Sequence, residues 1–263
     1  PAGGSAHEQE LREGVQMRGA RWALDDRDAG AALERLAALP QGAARRTLAL
    51  RIKLKATRLA RQTQEALDTA RLLGKHRAFS ADAAQSIVRG LAIELINSAH
   101  DTSQLQQTWL QLEQLERNMP ELAIQAAQRL VNLGGEPAQA RAWLVPVWER
   151  MVQLPNALPD HHALKLVRAL ESGLDTLDAA WLARIESAQL ANPRDARLQY
   201  LAGVACLKRQ LWGKAQQLLT QAIPHLTDAG LRASAWRHLA ALAERRNDGE
   251  AAAEAWKKAA LAH

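Results

Sequence analysis

The sequence predicts an all-α fold, a solenoid of helical hairpins, from its composition, from a spacing that recurs about every 34 residues, and from where Gly, Pro and Asp fall. Of its 263 residues 48% are apolar, mostly Ala and Leu, and the aromatics are eight Trp with a single Tyr (Tyr200) and a single Phe (Phe79). Unbranched side chains lose little rotamer freedom in a helix, whereas β-branched and aromatic residues dominate strands. No sheet is expected.

The repeat shows most clearly at the C-terminal end. With Trp236 at the fourth position of a 34-residue frame, Leu239 falls at seven, Ala240 at eight, Ala252 at twenty, Trp256 at twenty-four and Ala259 at twenty-seven. This is the tetratricopeptide pattern. The same frame laid on the preceding segment puts Gly203 at eight, Ala215 at twenty, Leu219 at twenty-four and Ala222 at twenty-seven, with Pro193 at thirty-two of the repeat before. Small residues at eight, twenty and twenty-seven let the two helices of a hairpin approach closely, and large ones at four, seven and twenty-four fill the space that remains. Trp236 and Trp256 are therefore expected inside the last hairpin, and Trp212, at position seventeen, as a packing anchor at the corner "LKRQLWGKAQQLL". Gly213 beside it is expected to relieve crowding there.

Second helices of the earlier hairpins are expected at Asp28–Leu39, Gln64–Leu73, Thr102–Leu115, Pro137–Met151 and Thr176–Leu190. Frames then begin near residues 13, 47, 86, 121, 162, 196 and 233, which makes about seven hairpins in one right-handed superhelix. Residues 1–6 read as a linker or the remnant of a longer chain, 7–160 as divergent N-terminal repeats, and 161–263 as C-terminal tetratricopeptide repeats continuing the same solenoid. "LGGEP" supplies Gly at a helix C-terminus and Pro at the next first turn. Asp101 or Thr102, and Asp175 or Thr176, are N-cap candidates. Pro146 inside a helix removes a hydrogen bond and is expected to bend it near Val145.

The lone Cys206 excludes an internal disulfide and reads as a small buried apolar residue. No apolar run approaches the ~20 residues that cross a bilayer, and "PAGGSAHEQE" has no signal-peptide hydrophobic region. The net charge of +6 permits an acidic protein, anionic lipid or nucleic acid as partner.

The run "ANPRDARLQYLAGVACLKRQLWGKAQQLLTQAI", the later "ERRNDGEAAAEAWKKA", and more weakly "GGEPAQARAWL" and "RWALDDRDAGAALERLAAL" resemble the HemY-type tetratricopeptide-repeat proteins of proteobacteria, which are associated with haem and tetrapyrrole biosynthesis. The resemblance spans nearly the whole chain, with "LWGKA" its most specific element. It implies a helical-repeat domain, preceded in the full-length protein by hydrophobic N-terminal helices, that sits at the bacterial inner membrane, on its cytoplasmic side, and acts as an interaction scaffold whose partners include haem-biosynthesis enzymes. A flavin-dependent protoporphyrinogen oxidase that shares the name needs a dinucleotide-binding fold with GxGxxG after a strand. That motif is not in this sequence.

No constellation for catalysis is visible. There is no GxSxG, P-loop or metal-binding cluster, so the chain is not expected to be an enzyme and no cofactor is expected. His161 and His162 follow "NALPD" and point to different sides of a helix start; haem ligation by one of them is the alternative, making the chain a tetrapyrrole carrier or regulator. His76, His100, His225 and His238 are scattered. The basic tract says more: eight Lys or Arg and no acid lie between Glu34 and Glu65. Arg51, Lys55 and Arg58, four and three apart, share one helix face, at positions five, nine and twelve of their frame, which line the concave groove in the tetratricopeptide architecture. The same positions elsewhere nominate Arg21, Glu94, Asn97, Gln125, Arg129 and Asn132. An acidic peptide segment or a C-terminal carboxylate suits this series, although it lacks the lysine and asparagine pattern of the chaperone-binding carboxylate clamp. Nucleic acid fits poorly, because no aromatics are interleaved with the basic residues. A basic face docked on anionic lipid is a third reading.

Overall fold

The computed structural model describes residues 2–154 and 156–262. It is 81% helix, has no strand among the described residues, and packs its helices in neighbouring pairs. Two compact units divide the chain, Pro1–Glu116 and Arg117–His263. The expected boundary at residue 160 thus falls inside the second unit.

The first unit contains α1 (Ala2–Asp25), α2 (Ala29–Ala37), α3 (Gln41–Ala44), α4 (Thr47–Leu59), α5 (Thr63–Lys75), α6 (Ala81–Ser98) and α7 (Thr102–Gln111), and all but the last residue of α8 (Gln114–Arg117). α1 pairs with α2, α4 with α5, and α5 also with α6, while α1 and α2 both rest on α4. Ala20, Leu36, Leu39, Ala43, Ala49 and Ile52 form the core of that junction. Burying each of the large ones contributes roughly 1.5–3 kcal/mol. Residues 2–6, expected as a linker, are the first turn of α1, because no proline interrupts the helix formers behind them; Pro1 lies outside the described residues. The helix expected over Thr102–Leu115 stops at Gln111. Leu112 is extended, and the Glu113 N–H donates to the Glu116 carboxylate at 2.9 Å, in the manner of a capping box that starts α8. That carboxylate also receives a fork from Arg71 of α5, Nε at 2.9 Å and Nη2 at 2.6 Å, and Glu116 is only 3% exposed.

In the second unit follow α9 (Pro120–Asn132), α10 (Pro137–Gln153), α11 (Asp160–Ser172), α12 (Ala179–Ala191), α13 (Ala196–Lys208), α14 (Trp212–Ala222), α15 (Ala229–Arg245) and α16 (Gly249–Leu261). α9 pairs with α10, α13 with α14 and α15 with α16, while α11 rests on both α9 and α13. Asp101 caps α7 as expected, and Asp178, Asp195, Asp228 and Asp248 cap α12, α13, α15 and α16. The cap of α12 is therefore neither Asp175 nor Thr176. Those two belong to a short 3-10 turn, Leu174–Thr176, and Thr176 instead accepts from buried Arg141 through its hydroxyl (2.8 Å) and its carbonyl (2.7 Å). α10 runs unbroken through Pro146.

One corner geometry joins α5 to α6, with Arg77 at φ 55° and the Ala78 N–H on the Leu73 carbonyl at 3.0 Å, and recurs in four more pairs. Arg27, Arg61, Gln210 and Asn247 each take a left-handed backbone (φ 57°, 59°, 61° and 60°) between a helix end and the next N-cap. At each, the following N–H reaches back to a carbonyl five residues earlier, as Leu211 does to Cys206 at 2.9 Å, so the orphan carbonyls of the helix end are satisfied. In α9–α10 the left-handed residue is Gly134 (φ 85°), and Pro137 opens the next helix, as "LGGEP" predicts.

In the corner "LKRQLWGKA" Gln210, not Gly213, makes the turn. A Cβ built on exposed Gly213 meets nothing within 4 Å, so the expected crowding is not there. Crowding occurs instead at Gly203, where a Cβ would stand 2.9 Å from Leu219 Cγ and 3.1 Å from its Cδ2. Around that contact Ala215, Leu219 and Ala222 are fully buried, as are Ala240 and, nearly so, Ala252 and Ala259 in the last pair. The small-residue spacing read from the sequence is thus where helices touch. The Trp expectation holds only in part. Trp109, Trp143, Trp148 and Trp181 are buried, but Trp22 is 65% and Trp256 41% exposed. Trp256 lies on the outer face, its Nε1–H donating to Glu244 at 2.6 Å, and Lys258 covers the half-buried Trp236 ring at 4.6 Å. Trp212 is half-buried under the Arg245 guanidinium at 4.0 Å.

Candidate binding surfaces

In the first unit α1 and α4 leave between them an open depression of about 620 Å³. Arg21, Arg27, Arg51 and Lys55 rim it, Leu24, Leu48, Ile52 and Leu59 supply its apolar lining, and Asp25 is the one acid among its lining residues. The helical period explains the grouping. Leu48, Arg51, Ile52, Lys55 and Leu59 recur at intervals of three and four on α4, so cations and apolar side chains share one stripe. Leu48 and Leu59 are 46% and 40% exposed and face solvent, whereas Ile52 at the floor belongs to the core. Arg51 is fixed, donating from Nη2 to the Ala78 carbonyl at 2.7 Å and standing over the Phe79 ring at 5.4 Å.

Of the residues the sequence nominates, Arg21, Arg51 and Lys55 come together here. Arg58 is exposed on α4 but does not line the depression; Glu94 and Asn97, both exposed, lie on α6. Gln125, Arg129 and Asn132 follow one another on α9 in the second unit, the first two half-buried and the third exposed. The apolar partners of the cations, Leu24, Leu48 and Leu59, went unread in the sequence, although the three- and four-residue spacing on α4 was visible.

The second unit holds two polar clusters. On α11, α13 and α15, the fully buried Tyr200 donates its hydroxyl to Glu171 at 2.6 Å and lies 2.8 Å from Ser234 Oγ, and His238 Nε2 stands 3.4 Å from the same Glu171 oxygen. Burial alone would raise the Glu171 pKa, but the hydrogen bonds from His238 and Tyr200 outweigh it, and the carboxyl sits below its ordinary range. Burial and the bond to Glu171 raise the Tyr200 phenol. Every charge here has a partner, so the cluster ties three helices together.

The other cluster corrects the reading of the adjacent histidines. His161 and His162 do not point apart: their ring centroids are 4.0 Å from each other, and His162 Nε2 lies 2.9 Å from Glu121 Oε1 of α9. His162 is 9% exposed, and its Nδ1 is buried with no partner. Burial, then the neighbouring His161, lowers the His162 pKa, against a raising effect from Glu121. Its frame register was the available signal, since residues 121 and 162 open successive frames.

Cys206 is buried and unpaired, and burial raises its thiol pKa, as suits an inert apolar position. No helix among the described residues is long and apolar enough to cross a membrane. No family model matches the chain, and no curated protein matches it.

Proposed function

We propose that the chain is a non-catalytic interaction scaffold of the tetratricopeptide type, whose N-terminal unit binds an acidic amphipathic segment of another protein. The depression between α1 and α4 supports this reading, with four cations around an apolar lining and a single acid among them. Such a surface attracts an acidic partner at long range and holds it by apolar contact at short range. A lipid headgroup or a nucleic acid would use the charge but leave Leu48 and Leu59 without a role. The repeat type is supported by Gly203, Ala215 and Ala222 at the hairpin contact and by the recurring corners. In this proposal about seven hairpins make up the superhelix, and the resemblance to HemY-type proteins sets it beside the bacterial inner membrane, among enzymes of haem or tetrapyrrole biosynthesis. Haem carriage through one of His161 and His162 is the less favoured alternative, because His162 Nε2 is already engaged with Glu121 at 2.9 Å.

The test uses fluorescein-labelled amphipathic peptides graded from acidic to basic, titrated with the purified chain at low and moderate salt. Acidic peptides should bind, with affinity falling as salt rises. Arg21→Glu with Lys55→Glu, neither of which breaks a hydrogen bond, should abolish binding while far-UV circular dichroism and melting are unchanged. Adding Arg51→Glu and Arg58→Glu tests the rest of the basic face. Equal binding by a folded double variant would refute the proposed surface.

A further inference from the structure

We propose that Glu121, His161 and His162 form a binding site for a first-row transition-metal dication such as Zn²⁺, with two imidazole nitrogens and one carboxylate oxygen as ligands. Among the described residues this is the group of His, Cys, Asp and Glu whose donor atoms converge, all within 4.8 Å of one another. α11 presents the two histidines from its first turn, and α9, packed against it, brings Glu121 from its own first turn. A bound cation needs its donors roughly 3.3–3.5 Å apart, given metal–ligand bonds of ~2.0–2.2 Å in tetrahedral geometry. Glu121 and His162 stand at 2.9 Å in direct hydrogen bond and would open by about 0.5 Å to admit the ion, and the larger adjustment falls on His161, which is exposed.

The buried Nδ1 of His162 has no route to a ligand, and Nε2 is the nitrogen on the Glu121 side. In the metal-free protein Nε2–H donates to the Glu121 carboxylate; the ion replaces that proton, which moves to Nδ1 by a change of tautomer, so the neutral ring binds through the Nε2 lone pair with no net proton released. Two imidazoles and one carboxylate select zinc and its neighbours over Mg²⁺ and Ca²⁺, which take oxygen donors. Three protein ligands leave a tetrahedral ion one open position. His161 also lines a cleft of about 510 Å³ with Asp160, Asp195, Arg197, His225 and Asp228, so that position is open to water or to a donor from whatever occupies the cleft.

The experiment is a calorimetric titration of the untagged, chelator-treated chain with Zn²⁺, and a parallel Co²⁺ titration followed in the visible. The expected result is one saturable site per chain and a Co²⁺ d–d band that Zn²⁺ abolishes. His161→Ala and Glu121→Gln should each weaken Zn²⁺ at least tenfold, and His100→Ala, in the first unit, should leave it unchanged. His161 is exposed, so its removal keeps the fold, which circular dichroism verifies. No saturable binding, or equal affinity in His161→Ala and Glu121→Gln, overturns the proposal.

Discussion

Two glycines in one hairpin should respond oppositely to the same substitution. Gly203 lies in α13 facing α14, and an added methyl would stand 2.9 and 3.1 Å from Leu219 and 3.4 Å from Leu218 Cβ. Leu219 is fully buried, so it cannot swing into solvent to make room. Overpacking of this kind costs about 1–3 kcal/mol, whereas replacing a helical Gly by Ala recovers only ~0.5–1 kcal/mol. Gly203→Ala should therefore destabilise, by up to about 2.5 kcal/mol. Gly213 is exposed in α14, with nothing within 4 Å of its would-be Cβ. Gly213→Ala should stabilise, by up to ~1 kcal/mol from the same propensity. Urea unfolding followed by far-UV circular dichroism measures both against the parent, and a hairpin-local readout comes from amide exchange in α13 and α14. Two shifts of the same sign would refute the reasoning: both upward would mean that Leu219 has room to move, both downward that Gly213 meets a demand the structure does not contain.

The remaining expectations concern single interactions. Gln210→Gly should stabilise by about 1 kcal/mol, because an L-residue in the left-handed region carries a penalty that glycine escapes; an unchanged urea midpoint would argue that the corner is not strained. Glu171 has a depressed folded pKa, so its stabilising effect is full above the ordinary carboxylate range and is lost as pH falls through the folded value. Tyr200→Phe removes one of the bonds responsible; it should lower stability at neutral pH by about 1–3 kcal/mol and flatten the acid limb of the stability profile. Glu116→Ala leaves Arg71 without its fork and should cost about 3 kcal/mol or more, seen in thermal melts, whereas Glu113→Ala, partly exposed at 3.9 Å from Arg71, should fall within about 1 kcal/mol of the parent.

Local chemistry made much of this fold legible. The Ala and Gly spacing marked where α13 meets α14 and α15 meets α16, and Asp101, Gly134 and Pro137 fell where their backbone preferences put them. Legibility failed where two answers satisfy the same local rule. Asp175 and Thr176 read as caps of α12, but Thr176 is taken by Arg141, 35 residues away, and Asp175 by Lys208 at 2.7 Å, which leaves the role to Asp178. A glycine next to a tryptophan suggested crowding, but the turn was made by Gln210, whose side chain gives no such signal. Trp256 matched a buried frame position, yet its ring is 41% exposed and its Nε1–H reaches Glu244 on α15 instead. The candidate sites divide likewise. Arg51 and Lys55 were readable from one helix's period, and Arg21 from its equivalent register; the approach of Glu121 to His162, 41 residues apart, depends on how α9 and α11 pack.

The fork between Arg71 and Glu116 also sets where the chain can be cut. It spans 45 residues, and its acidic half lies at the last residue of the first unit. A recombinant fragment stopped at the visible end of α7 would keep every paired helix yet remove the buried fork from a largely buried guanidinium, leaving it only the more exposed Asp68 at 3.1 Å. One carried through Arg117 would retain the clasp and the capping turn that presents it. Expression boundaries for the N-terminal half are thus dictated by a single carboxylate beyond the last full helix, and a fragment six residues shorter should be less stable and less soluble than the longer one.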